Sequence, residues 1–294
     1  MKYGWEVLQS FLKRILEMSK IEQYLSVLSN ASVGAITYYV GDNVEDVKHL
    51  ENYTLLCKPN FTPSLNNVKI VTTPTPQLEF YKLSKNYTKD YLEEKKLKLV
   101  NGYYLHEDAV IGKNVVIGKG SIIGRGTIEG NVVIHPNVVV YADTIIGSNV
   151  VIEANSVIGA EGVMWVWDKN ERVYLHQLGG VIVEKNCKIG SNVTIVRGSA
   201  NENTIIGEGT CIAHGTLVGH GCSIGKNNHF ANNVSLGGGV KICDNCFFSS
   251  GVVLSASCDI SAVILVGAGG VLTGKINKTG VYVGVPAKWI KPYS

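Results

Sequence analysis

IIGEGTCIAHGTLVGHGCSIGKNNHFANNVSLGGGVKI, residues 205–242, places an aliphatic or aromatic residue at every sixth position: Ile206, Ile212, Val218, Ile224, Phe230, Leu236 and Ile242. The same beat starts at Leu105 and passes Ile111, Ile117 and Ile123. It then resumes one residue early at Ile128 and continues through Ile134, Val140, Ile146, Ile152 and Ile158. After a gap it returns at Val183, Ile189 and Ile195, and beyond Ile242 it runs through Phe248, Leu254, Ile260, Val266 and Leu272. A period of six fits neither the 3.6-residue helix nor the two-residue alternation of a hairpin meander. It fits a solenoid of short strands and tight turns, in which each rung stacks its apolar residue on the next. Glycine often follows the apolar residue, as in Ile206-Gly207 and Ile224-Gly225, and is expected there for backbone angles that other residues resist.

Composition agrees with two kinds of structure in one chain. The 294 residues carry 27 Lys+Arg against 24 Asp+Glu, a formal charge of +3, and 33 glycines. Charged residues make up 17%, well under the roughly 25% of ordinary domains. This balance excludes a disordered chain and a nucleic-acid binder driven by bulk charge. Residues 1–100 hold only Gly4, Gly34 and Gly41 of the glycines, so a boundary is expected near residue 100. The opening MKYGWEVLQSFLKRILEMSKIEQYL spaces its apolar residues for a helix. Lys13, Arg14, Glu17 and Lys20 interrupt any apolar core of a targeting segment, and no stretch is apolar for the length of a membrane span. A cytoplasmic protein is the expectation. Cys187, Cys222, Cys246 and Cys258 each precede an apolar position by two and read as small buried hydrophobes in a reducing compartment. Cys243-Asp-Asn-Cys246 lacks a second pair, so no metal is expected there.

These hexads resemble the hexapeptide-repeat acyltransferases. That resemblance implies a left-handed parallel β-helix with three faces, residues 18 apart lying one above another, and a homotrimer with active sites between neighbouring coils. The domains expected are a small α/β domain over 1–103, the β-helix over 104–276 with an inserted loop at 159–182, and a C-terminal cap over 277–294.

Two further resemblances bear on chemistry. VIGAEGVMWVWDKNERVYLHQLGGVIVEKNCKIGSNVTIVRGS, residues 157–199, resembles the UDP-3-O-acylglucosamine N-acyltransferases in its Gly-Ala-Glu-Gly loop, its Gln-Leu-Gly-Gly return and its later Arg-Gly. It implies that Glu161, Trp165, Trp167, His176, Gln177 and Arg197 contact the acceptor. The alternative is a loop that packs on its own or a neighbouring coil. ASVGAITYY and VKIVTTPTPQLEFYKL resemble that family's N-terminal domain, which makes Tyr38 a candidate for stacking on a base. Downstream, VGHGCSIGKNNHFANNVSLGGGVKICDNC and GVYVGVPAKWIKP resemble nucleotide-amino-sugar N-acetyltransferases of the sialic-acid and bacillosamine type. Both families place their catalytic base at the position of His220, and the second implies that His229 meets the acyl-donor thioester.

Acyl transfer from a thioester to an amine needs a base that takes a proton near neutral pH, and histidine suits that task. One coil back from His220 lies Glu202, the candidate acid to orient it. Gly237, Gly238 and Gly239 offer backbone N–H groups to the donor, and Gly267, Pro286 and Lys288 are further donor-binding candidates. The leading expectation is N-acylation of a nucleotide-linked amino sugar, with acyl-CoA as co-substrate and no tightly bound cofactor. The alternatives are a UDP-3-O-acylglucosamine N-acyltransferase using acyl carrier protein, and a non-catalytic solenoid scaffold. His214 falls on a different side from His220, and the spacings of six and nine do not resemble the zinc ligands of hexapeptide-repeat carbonic anhydrases. No nucleic acid is expected as a partner.

Overall fold

The computed structural model describes residues 24–48, 51–61, 63–88 and 90–292. The helix expected over the first 25 residues therefore falls outside them, except Tyr24–Leu25, which form a strand. The chain divides into two compact units. One comprises the described part of 1–86 together with Met164–Leu175; the other comprises Tyr87–Val163 and His176 onward.

In the larger unit the six-residue beat becomes strands of two to four residues wound about three faces. The first face runs from Val110–Ile111 to Lys275–Ile276 and the second from Val116–Ile117 to Gly280–Val283. The third runs from Tyr103–His106 to Val271–Leu272. Among the described residues the three sheets have nine, ten and ten strands, and all rungs pair in parallel. The two larger sheets each end in one antiparallel strand, Lys288–Lys291 at one end and Leu97–Val100 at the other. This is a parallel β-helix. Its interior is the beat itself: Ile158, Ile195, Val218, Leu236 and Leu254 stack up the third face, each almost fully buried. Phe230 and Phe248 stack in the second at 4.8 Å. Each such side chain contributes about 1.5–3 kcal/mol by leaving water.

The glycines that follow the apolar residues are needed for a different reason than their backbone angles. A Cβ on Gly219 would lie 2.7 Å from the carbonyl carbon of Gly237, on the next coil. Close approach between coils, not positive φ, excludes side chains there. The left-handed positions come two residues later and are held as often by asparagine as by glycine, for instance Asn149, Asn186 and Asn227 beside Gly209 and Gly221. Four of these asparagines also bond in a ladder along one corner: Asn114 to Asn131, Asn131 to Asn149, and Asn149 to Asn186, at 3.0–3.2 Å. Cys187, Cys222, Cys246 and Cys258 are free and buried, and burial pushes the first three thiols up to about 12.

Regular coils advance by eighteen residues, as from Leu217 to Ser235 to Val253. Two coils are longer, since Val157 pairs with Thr194 and Thr194 with Leu217. Both extra lengths leave the coil at the corner between the third and first faces. One lies between Ala160 and Gly180, the other between Val196 and Asn203.

The boundaries differ from those expected. Leu97–Val100 and Tyr103–His106 pair with each other, and Tyr104 pairs onward with Ile122, which makes residues 97–106 the start of the coil rather than the end of the small domain. At the far end Gly280–Val283 is still a rung, and only Lys288–Lys291 folds back as a cap.

The smaller unit is a four-stranded parallel sheet in simple order: Tyr24–Leu25, Ala35–Tyr38, Thr54–Cys57 and Lys69–Thr72. Pro76, with φ preset for a first helical turn, opens the helix Pro76–Ser84. Leu78, Phe80, Tyr81 and Leu83 are buried in that helix. The tip of the inserted loop belongs to this unit as an antiparallel hairpin, Trp165–Asp168 with Glu171–Tyr174. Lys82 of the helix holds Asp168 of the hairpin at 2.7 Å. Among the described residues no helix is long and apolar enough to cross a membrane.

Candidate active site

The corner between the third and first faces repeats on successive coils, so residues on it form a column. From one coil to the next it carries the two stems of the inserted loop, then Arg197–Glu202, then Gly219–Cys222, then Gly237–Val240. His220 stands in the middle of this column and is half-buried.

His220 is held on both sides. Its Nδ1 lies 3.0 Å from the hydroxyl of Ser199, and its backbone C=O accepts the N–H of Gly239 at 2.7 Å. Its ring covers Gly238 so closely that a Cβ there would come within 2.6 Å of Cδ2. The next residue, Gly221, has φ +63 and donates its N–H to Thr204 Oγ1 at 2.9 Å. Burial pushes the His220 imidazole below its ordinary value, against a smaller upward pull from the Glu202 charge. The ring is therefore neutral at pH 7, with an unprotonated nitrogen able to take a proton.

Glu202 lies where eighteen-residue counting puts it, but Ser199 stands on Nδ1. The Glu202 carboxylate accepts the Ser199 N–H at 3.0 Å and presses against the bare Cα of Gly221, where a Cβ would come 2.8 Å from the carboxylate carbon. Ser199 is not among the expected residues. Its signal in the sequence is the five-residue lengthening of the beat in GSANEN, one coil before His220.

The expected donor residues do not gather in one place. Gly237, Gly238 and Gly239 adjoin His220. Gly237 N–H already donates to Leu254 C=O and Gly239 N–H to His220 C=O. Among the described residues, Gly238 is the one of the three whose N–H goes to no coil carbonyl. His229 is half a coil away, exposed on the second face and stacked on Phe247 at 4.7 Å. It borders a groove of about 310 Å³ with Lys188, Cys211 and Ala213. Gly267 lies at the corner between the second and third faces, with its N–H given to Tyr282 C=O. Pro286 and the exposed Lys288 lie in the cap that pairs with the last rung of the second face. Within one chain, then, His220 and His229 do not meet.

The acceptor group also divides. Arg197 and Gln177 are fully buried, which removes them from direct contact with a substrate. Arg197 donates from Nε to Gly179 C=O at 2.7 Å and from Nη2 to Ala142 C=O at 3.1 Å, with its guanidinium 3.3 Å over the Tyr91 ring. Gln177 closes the base of the inserted loop. Its side-chain oxygen accepts the Gly162 N–H, its own N–H goes to Glu161, and its C=O accepts the Tyr91 hydroxyl at 2.8 Å. Glu161 is exposed, with the half-buried His176 3.9 Å from its carboxylate. In the smaller unit, exposed Trp165 and Trp167 meet edge to face at 4.9 Å, and Arg172 lies over both rings. Arg172 too is absent from the expected residues. Tyr38 is half-buried beneath the helix, with its ring 5.0 Å from Phe80 and its hydroxyl 3.4 Å from Gln77 Nε2.

His214 is exposed on another corner, and its Nδ1 accepts the Ser191 N–H at 2.9 Å. Among the described residues no three His, Cys, Asp or Glu side chains gather as metal ligands would.

The family pattern described as bacterial transferase hexapeptide (six repeats) matches residues 126–160 and 221–256. In sequence, the chain is 33% identical over 109 residues to the UDP-3-O-acylglucosamine N-acyltransferase of Bordetella avium. That stretch is 37% of this chain and 30% of the relative, so the match spans under a third of the relative's length. In structure, it resembles LpxA, a UDP-N-acetylglucosamine acyltransferase from Bacteroides fragilis, with 25% identity and a TM-score of 0.58. That likeness covers 66% of this chain and 74% of the other. LpxA from Acinetobacter baumannii gives 26% identity and a TM-score of 0.59 over 65% and 72%. With the parallel β-helix wound from the six-residue beat, these likenesses show that the chain carries bacterial-transferase hexapeptide repeats.

Proposed function

We propose that the protein transfers an acyl group from a pantetheine thioester to the amine of a UDP-linked amino sugar, with His220 as general base. The observation that carries this reading is the half-buried histidine at the centre of the corner column, held between Ser199 and the Gly237–Gly239 run. In the reaction the amine nitrogen attacks the thioester carbonyl while His220 takes its proton. The new C–N bond forms, the C–S bond breaks, and the thiol leaves with a proton. The N–H of Gly238 is the donor for the carbonyl oxygen as charge develops on it.

The relative in sequence bears the name of the alternative expectation, a UDP-3-O-acylglucosamine N-acyltransferase. It favours an O-acylated UDP-glucosamine acceptor over the deoxyamino sugars of the first expectation. In the coil unit the exposed Glu161 and the half-buried His176 remain acceptor candidates. His229 with Lys188 on the second face, and Pro286 with Lys288 in the cap, remain candidates for the donor. Because His229 and His220 lie on different sides of one coil, a site using both requires a neighbouring copy, in keeping with the trimer that the resemblance implies. The third face suits that contact, since no outward residue of its rungs from Ile122 to Val271 is charged, Thr194 and Ser235 being the polar ones.

Purified protein should be offered UDP-3-O-acylglucosamine and UDP-linked deoxyamino sugars, each with acyl-CoA and with acyl carrier protein, and the products weighed by mass spectrometry. The reading predicts acylated UDP-3-O-acylglucosamine, and the active donor decides between the two carriers. Turnover confined to the deoxyamino sugars would return the acceptor to the first expectation. No acylated product with any pair would leave a binding scaffold.

A further inference from the structure

Ser199 occupies a position fixed by bonds from several directions. It is 4% exposed, on the lengthened corner directly below His220. Its N–H is taken by Glu202 at 3.0 Å. Its C=O accepts two N–H groups from the return of the inserted loop, Leu178 at 2.5 Å and Gly179 at 2.9 Å. Beside it, Arg197 is pinned to Gly179 and Ala142, and Gly198 N–H bonds Gly180 C=O at 3.1 Å. Gly198 and Gly179 must both be glycine, since a Cβ on either would press within 2.9 Å of neighbouring backbone carbons. The backbone around Ser199 is therefore fixed on both sides, and what it presents upward is a hydroxyl 3.0 Å from His220 Nδ1.

We propose that Ser199 is the positioning residue of the site: its hydroxyl oxygen accepts the Nδ1 proton of His220 and so leaves Nε2 as the unprotonated nitrogen. A neutral imidazole carries one proton, and its partner at one nitrogen decides which of the two holds it. Ser199 is suited to accept because the carboxylate charge of Glu202, bound to its own N–H, lies on its side of the ring. The two long insertions at this corner acquire a purpose here: the return of the 159–182 loop and the 197–202 loop together fix one oxygen. This inference rests on His220 being the base, and its test is arranged to fail separately from that reading.

The full chain, labelled with 15N-histidine, should be studied by NMR at neutral pH without substrate, as wild type and as Ser199→Ala, Ser199→Thr and Ser199→Val. In the wild type His220 should show the Nδ1-protonated form, and Ser199→Ala should lose it to a mixture of tautomers. The isosteric pair guards against a folding defect, because Thr keeps the hydroxyl and Val does not; only Thr should keep the wild-type tautomer. In turnover, Ser199→Ala should lower kcat roughly 10- to 100-fold with little change in KM, the range typical for removing a partner that orients a reacting group. A wild-type His220 with its proton on Nε2, or an unchanged tautomer in both Ala and Val variants, would overturn the proposal. If His220→Ala stayed active while the tautomer still depended on Ser199, the catalytic reading would fall and this inference would stand.

Discussion

His220 is set apart from the other described histidines by where its nitrogens point and what surrounds its ring. His214 has Nδ1 tied to a backbone N–H and lies open to solvent, and His229 stacks on Phe247. His220 is pressed against Gly238 and bounded by Ser199, and burial holds its imidazole below the ordinary value of about 6.5. In the proposed reaction the unprotonated form is the base, so kcat/KM should rise as pH climbs through this lowered value and be level by pH 7. Glu202 is the charged group facing the ring, and its charge opposes the burial effect. Glu202→Gln should therefore move the acid limb of the profile to lower pH; a limb displaced upward would contradict the assignment. Gly238→Ala asks for a methyl where the ring lies, and should cut turnover strongly while leaving the melting temperature nearly unchanged.

At the scale of the coil, two kinds of glycine do different work. Gly219 is required by contact with the next coil, and Gly219→Ala should cost about 1–3 kcal/mol in chemical denaturation, as overpacking does. Gly269 has φ +66, and no atom lies within 4 Å of where its Cβ would stand. Gly269→Asn should be nearly neutral, as Asn149 and Asn227 occupy like positions. The six-residue beat is fully legible in the sequence, because stacking puts one apolar residue in the same place on every rung. So is the position of His220 on a corner, and of Glu202 one coil below it. What the beat does not carry is the content of its own interruptions. Nothing periodic distinguishes Ser199 from its neighbours in GSANEN, and Arg197 and Gln177 look like substrate contacts because polar residues in loops usually face outward. Here both are buried: Arg197 donates to the carbonyls of Gly179 and Ala142, and the Gln177 side chain accepts the Gly162 N–H. The small domain's boundary differs from expectation for a related reason: residues 97–104 precede the first residue of the beat, Leu105, yet Leu97–Val100 and Tyr103–His106 pair into the coil.

Across the molecule, the rigid coil sets a spacing that separates its chemistry. His220 and His229 are nine residues apart, half a turn, and so face different ways however the side chains rotate. The proposed site, in using both, requires a second copy, and the uncharged third face is the contact surface we propose for it. Leu217→Glu on that face should reduce the mass in sedimentation from three chains to one and abolish turnover together; a trimer that persisted would move the contact elsewhere. We propose His220 as the base of an acyl transfer to a UDP-linked amino sugar. The most direct test is single-turnover acylation by the wild type and by His220→Ala, at matched folding and saturating substrates. A loss of about 10²- to 10⁴-fold in the rate of the chemical step is expected, the usual contribution of a positioned base. A variant acylating within twofold of the wild-type rate would contradict it.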